Sequence, residues 1–276
     1  MAKADVQKIV QELYDGQVIA THYPLAHRYI IVDQGEKVKG FSVTAVTGQL
    51  DKSQALIIWA TRLDFAWLRQ KLEARTGERF SVEELYPLID EAEKQHSIAK
   101  EKAASIGDMA HDWAERFSIA KKLKTKTPDM PDIEKYPEAH HAITSFLEWY
   151  NDHDVVFHDA ERLLFSRKYH YYGLTDTIAT VDGKLYVIDY KTANAFYDEH
   201  RYQISGYRGA YEEEIKAKVD GSMVLRFSKE PKEGVPDFEA TFIDNESHVK
   251  DFEVFLHLLA VKQRQAEVSV SRKYYK

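Results

Sequence analysis

The sequence predicts an α/β or α+β fold, and three observations carry that reading. From Val155 onward, strand-like and helix-like stretches follow one another as three strands, a helix, two strands and a helix. Between Asp51 and residue 120 the apolar residues recur at helical spacing instead, Leu56, Trp59, Leu63 and Trp67 first among them. The third observation is Val181-Asp182-Gly183-Lys184, because Asp-Gly suits a two-residue hairpin turn that needs positive φ at both positions.

Taken in order, HRYIIVDQGEKVKGFSVTAVTG (27–48) reads as two strands joined near Gly35, with Gly48 closing the second. Helices follow in pieces, Ser81 serving as the N-cap of SVEELYPLIDEAEK. The lysine- and proline-rich KKLKTKTPDMPDIEKYP is a break, and EAHHAITSFLEWY is a further helix. VVFHDAERLLFS is a strand leading into the hairpin; DEHRYQISGYRGAYEEEIKAK is helical; GSMVLRFSK and DFEATFID are strands. A final amphipathic helix carries Val249, Phe252, Phe255, Leu256 and Leu259. One domain is expected over 1–276, with a helical stretch (52–130) inserted as an arch over a core at 138–264.

The bulk numbers narrow the class. With 44% hydrophobic and 30% charged residues over 276 positions, the chain can bury a sizeable core. It has no cysteine, which excludes disulfides, thiolate zinc sites and cysteine-ligated iron–sulfur clusters, and suits a reducing compartment. No window approaches the about 18 apolar residues of a membrane helix, and the first residues are charged, so a soluble cytoplasmic protein is expected. A net charge of −7 weighs mildly against a nucleic-acid binder, but binding is local and a basic groove can sit on an acidic protein.

The hairpin YYGLTDTIATVDGKLYVIDYKT holds the chemistry. Counting back from its turn puts Asp176 directly across from Asp189, where like charges repel. Lys191 shares that face with Leu174, Ile178, Leu185 and Val187, which look like core. Two readings stand. In one, Lys191 neutralises the aspartates in a salt bridge at a sheet edge. In the other, a divalent cation bridges the carboxylates, and Lys191 orients a water or stabilises charge on a phosphate oxygen. Gln203 and Tyr207 fall on one face of the following helix, with Gly206 leaving room for close approach. His111, on a helix, is a structural histidine or a ligand.

The ordered motifs GDMAH, AERLLF, GLTD, IDYKT and YQISGY resemble the PD-(D/E)XK nuclease superfamily, in its RecB-like exonuclease branch, over roughly residues 105 to 210. FSVTAVTGQLDKSQALIIWAT looks like its phage and mitochondrial members. The resemblance implies a restriction-endonuclease-like core, a central mixed sheet flanked by helices, with a helical N-terminal half. It implies His111, Asp176, Asp189 and the Tyr190 carbonyl as ligands to one or two Mg2+ or Mn2+ ions. Lys191 becomes the catalytic lysine, with Asp176, Asp189 and a supporting Glu161, while Gln203 and Tyr207 support the site and contact DNA. Without cysteine, the iron–sulfur cluster of several relatives is absent here.

The resemblance further implies DNA ends as the partner, with a recombinase or single-strand-binding protein beside them, in a bacterium or an infected host cell. Lys121, Lys122 and Lys124 are candidates for phosphate contact or a solvated turn. The C-terminal SRKYYK is a candidate for tracking a single strand or an ordinary terminus. A metal-dependent DNA exonuclease leads. A structure-specific endonuclease, a non-catalytic nucleic-acid-binding recombination accessory protein and a metal-stabilised structural domain are its rivals.

Overall fold

The turn at Asp182–Gly183 organises the sheet. Both residues have positive φ (50° and 79°), as a type I′ turn requires, and they join β7 (Tyr171–Val181) to β8 (Lys184–Lys191). The ladder runs from Val181–Lys184 to Thr177–Ile188, the register the sequence predicts. The computed structural model describes residues 8–193, 195–229 and 237–273, with side chains as far as residue 269.

By packing, Met1–Gln49 with Met109–Lys276 make one unit, and Leu50–Asp108 another. The first unit begins with a four-stranded antiparallel meander: β1 (Ile9–Leu13), β2 (Val18–Tyr23), β3 (Arg28–Asp33) and β4 (Glu36–Val38). The expected turn near Gly35 is there, but the strand after it stops at Val38. A two-residue strand, β5 (Phe41–Ser42), and a short helix, α1 (Val43–Thr47), replace its continuation. The cause is local: the Ser42 side chain accepts from the Ala45 N–H at 3.1 Å and caps a helix start.

The main sheet is six-stranded and mixed. β6 (Val155–Ser166) and β8 flank β7 antiparallel, β9 (Gly221–Phe227) runs parallel to β8, and β10 (Phe238–Ile243) lies antiparallel at the edge. β5 pairs parallel with Tyr171 and Tyr172 of β7. Helices cover both faces, as the mixed α/β expectation requires. Trp113, Phe117 and Phe146 of α4 (Gln95–Leu123) and α5 (Pro137–Asp152) pack with Ile188, Tyr190 and Leu225. Ile204, Tyr207 and Phe255 of α6 (Asp198–Ile215) and α7 (Asn245–Lys273) pack with Ile178, Val187 and Val224. The meander closes a third cluster on Leu163 and Phe165 of β6.

Two expectations need correction. Leu174 and Ile178 do not share a core: Leu174 packs against the meander cluster and Ile178 under α6 and α7. Tyr171 joins the Ile178 cluster although the two are an odd number of positions apart, so the in–out alternation of β7 is interrupted between them. Opposite the interruption, Glu161 of β6 has φ +50°, and the Gln11 side chain spans the kink, donating to the Glu161 carbonyl at 2.7 Å and accepting from the Leu163 N–H at 2.8 Å. Gly206, expected to admit a ligand or backbone, instead admits the Phe255 ring, which a Cβ there would meet at 2.9 Å.

The second unit holds α2 (Ser53–Glu73) and α3 (Val82–Ala92), the latter opened by a capping box between Ser81 and Glu84. The Leu56–Trp59 stripe forms a helix as expected, but α2 buries none of its residues. Among the described residues no helix is long and apolar enough to cross a membrane.

Candidate metal centre

The site occupies a gap in the sheet. On the edge of β7 facing away from β6, β5 pairs Tyr171–Tyr172 and β8 pairs Thr177–Val181, which leaves 173–176 without a strand neighbour on that side. Side chains take over the backbone groups there: Thr175 Oγ1 donates to the Ile188 carbonyl at 3.2 Å, and the Tyr190 N–H donates to Asp176 Oδ2 at 2.5 Å. The N–H and C=O of one extended residue point the same way, so the Tyr190 carbonyl also faces this slot. Its ring is fixed behind the sheet, the hydroxyl 3.1 Å from Ser118 Oγ.

Four ionisable side chains converge on the slot. His111, from α4, places Nε2 3.1 Å from Asp176 Oδ2 and Nδ1 2.8 Å from Glu115 Oε1. Lys191 Nζ lies 2.5 Å from Asp189 Oδ2. That contact is charge pairing without hydrogen-bond direction, so Asp189 Oδ2 is a buried oxygen with no directed bond among the described residues. Asp189 is 2% exposed, whereas His111 at 27% and Lys191 at 20% open the cluster to solvent.

The electrostatics follow from that packing. Burial is the largest influence on all four groups. It would raise Asp176, but the His111 charge and hydrogen bond, with Lys191 behind them, hold its carboxyl below the usual range. At Asp189 burial wins, aided by the Asp176 charge and only partly offset by Lys191, and the group is pushed up to about 6. Burial pulls His111 and Lys191 down, but Asp176 and Glu115 around the imidazole, and Asp189 and Asp176 around the ammonium, outweigh it and raise both. Asp176 and Asp189 therefore hold opposite shifts within one cluster.

His111, Glu115 and Asp176 offer ligand atoms within 4.8 Å of one another, with Asp176 on the Nε2 side of the imidazole and Glu115 on the Nδ1 side. Asp189 adds a second buried carboxylate to the slot, its Oδ2 paired with Lys191 Nζ at 2.5 Å. Oxygen donors plus one imidazole suit a hard divalent ion.

Of the residues picked out from the sequence, His111, Asp176, Asp189, Tyr190 and Lys191 come together here. Gln203 donates to the Tyr207 hydroxyl at 2.9 Å, and Tyr207, its own pKa raised by burial and then by the Asp189 charge, flanks the slot from α6. Glu161 stands in the row beside Asp176 on β6, outside the group of three. The lysine run is elsewhere. Lys121 lies over the Phe117 and Tyr150 rings, Lys122 pairs with Asp159 at 2.6 Å, and Lys124 ends α4, all about 15 Å or more along the helix from His111. The Tyr274–Lys276 end lies outside the described residues.

Glu115 is the residue that sequence reasoning missed. Its signal was present, since it follows His111 by four positions, the spacing that brings side chains together on a helix. A carboxylate on the far nitrogen of a ligating imidazole fixes its tautomer and orientation.

No family model matches this chain, and no curated protein matches it. Among solved structures, an alkaline exonuclease (LHK-Exo) from Laribacter hongkongensis aligns over 57% of this chain and 81% of its own, with TM-score 0.31 and 10% identity. The same enzyme in complex with dAMP gives TM-score 0.29 at 9% identity over 59% and 84%. SSO0001 gives 0.24 at 17% over 55% and 73%. Likenesses at that level do not establish kinship.

Proposed function

We propose that this protein is a divalent-metal-dependent DNA exonuclease of the RecB-like PD-(D/E)XK type, hydrolysing phosphodiester bonds from DNA ends. The observation that carries the proposal is the slot at Asp176. There His111, Asp176, Asp189 and Lys191, drawn from three separate elements, meet as two buried carboxylates, an imidazole and an ammonium.

His111 Nε2, Asp176 and Asp189 would hold one or two Mg2+ or Mn2+ ions, with the Tyr190 carbonyl facing the same space. Such an ion, when bound, neutralises charge on the scissile phosphate and lowers the pKa of a water. The protein's own groups do the rest. Lys191, charged at neutral pH because Asp189 and Asp176 outweigh its burial, positions the attacking water and stabilises charge growing on the phosphate oxygens. Glu115 keeps the imidazole turned so that Nε2 faces Asp176. Gln203 and Tyr207 close the slot from α6. The preference for ends, and a setting in phage or bacterial recombination, repair or replication beside a recombinase or single-strand-binding protein, rest on the motif resemblance.

The test is digestion of end-labelled linear single- and double-stranded DNA beside covalently closed circles, with Mg2+, Mn2+ or EDTA. Metal-dependent loss of linear DNA that spares circles is expected, and Lys191→Ala or Asp189→Ala should lower the rate about 10³-fold or more. Cut circles would move the reading to an endonuclease. Intact DNA under every condition would contradict a nuclease.

A further inference from the structure

Beyond the slot, the same unit carries an aromatic column that ends in a cleft. The rings of His22 and Tyr29 stack at 4.2 Å, and Tyr29 meets Tyr172 at 4.8 Å. The column is covered at His22, 8% exposed, and opens at Tyr29 and Tyr172 into a cleft of about 520 Å³. Lys39, Phe41, His170 and Gln263 complete its wall.

Three features make this more than the margin of a core. First, its shape is set by backbone. A Cβ on Gly40 would lie 3.0 Å from the His170 carbonyl carbon, so only glycine lets β5 approach this closely, and His170 itself is held at φ +56° by its N–H bond to the Ser166 carbonyl. Second, Lys39 and His170 on the rim are exposed and have no carboxylate partner among the described residues, on a chain of net charge −7. Third, the cleft adjoins the slot. Tyr172 is four residues from Asp176 along β7, about 13 Å by strand rise. Tyr207 packs against the strand between them: its ring would meet a Cβ on Gly173 at 2.5 Å, and the Asp189 and Asp176 charges act on its hydroxyl.

Stacking rings beside a lysine ammonium and an exposed imidazole offer the chemistry that holds single-stranded nucleic acid, with bases on aromatic faces and phosphates on the lysine and the ring N–H. We propose that this cleft is a subsite for a single strand, a base stacking against the open end of the Tyr29–Tyr172 pair and a neighbouring phosphate resting on Lys39 and His170. The subsite rests on the nuclease reading for the strand's fate, but its own binding is independent of hydrolysis.

The experiment exploits that independence. Fluorescence anisotropy of a labelled oligothymidylate is measured in EDTA, where no cleavage can occur, with the full chain and with Tyr29→Leu, Tyr172→Leu and Lys39→Glu. Each aromatic change should weaken binding roughly five- to hundredfold, with Tyr29→Phe and Tyr172→Phe staying near wild type. Lys39→Glu, at an exposed position that cannot upset the core, should weaken it and flatten its salt dependence. An oligonucleotide carrying 5-bromouracil should photo-crosslink to a peptide containing Tyr29 or Tyr172. No binding by the wild-type chain, or unchanged binding by Lys39→Glu with crosslinks mapping elsewhere, overturns the subsite, even if metal-dependent hydrolysis is found. Weakened binding with crosslinks at these tyrosines supports it, even if hydrolysis is never seen.

Discussion

Two of the clusters of buried charge differ in how their carboxylates are partnered. At the first, Arg208 (1% exposed) donates from Nε to Glu212 Oε1 at 2.7 Å and from Nη2 to the Val219 carbonyl and Asn245 Oδ1, while Glu212 also receives Lys218 Nζ and the Val219 N–H. Both carboxylate oxygens of Glu212 are taken, and its pKa is lowered despite burial. At the second, around Asp176 and Asp189, one buried oxygen has no directed bond and Asp189 is raised to about 6. The first cluster leaves only a donor, Arg208 Nη1, without a bond among the described residues, and its carboxylate is fully partnered. The second, whose His111 and Lys191 are partly exposed, keeps a carboxylate with a raised pKa where a cation and a phosphate could be received.

The largest break in this comparison should come at the first cluster. Arg208→Met leaves Glu212 buried without its guanidinium partner, and should cost roughly 3–5 kcal/mol in denaturant unfolding. Arg208→Met with Glu212→Leu should recover most of that loss, because no charge is then stranded. At the second cluster the same kind of change, Asp189→Asn, should leave metal-free stability nearly unchanged or raise it.

A second test uses pH. His248 packs beside Arg208 and is pulled down to about 4, first by burial and then by the Arg208 charge, against an ordinary value of 6.5. The unfolded chain therefore takes up a proton near pH 6.5 that the folded chain accepts only near 4. Stability should fall as pH drops through that window, by about 3 kcal/mol in all, and His248→Gln should remove most of the slope. A slope that survives the substitution would place the titrating group elsewhere.

The smallest effect sharpens the second cluster. Glu115→Gln keeps the hydrogen bond to His111 but loses its charge, and should weaken Mn2+ binding about 10–100-fold without changing unfolding in EDTA. Equal affinity would make Glu115 a packing residue only.

How legible was this in the sequence? The hairpin was, because Asp182–Gly183 sets the register locally and the register sets which residues face each other. Ser81 and the strand Val155–Ser166 were legible for the same reason, each having its signal within a few neighbouring residues. What escaped depends on distant partners. The first two strands are five and six residues long, too short for periodicity to announce, and they are held by Gln11 and Tyr14 reaching β6 some 150 residues away. The gap at 173–176 arises because β5 and β8 share one edge of β7, which no local pattern encodes. Within the site, the turn sets the register as far as Thr177–Ile188, but the expected Asp176–Asp189 pair is not formed, Asp176 accepting from the Tyr190 N–H instead. His111 reaches the aspartates only because Trp113 and Phe117 seat α4 on the sheet.

The most direct test of the central claim is titration of Mn2+ into the full chain, followed by electron paramagnetic resonance, beside Asp176→Asn and Asp189→Asn. Saturable binding by the wild-type chain, lost in both folded variants, is the predicted result. No saturable binding, or binding that both variants retain, would contradict a metal centre at this slot.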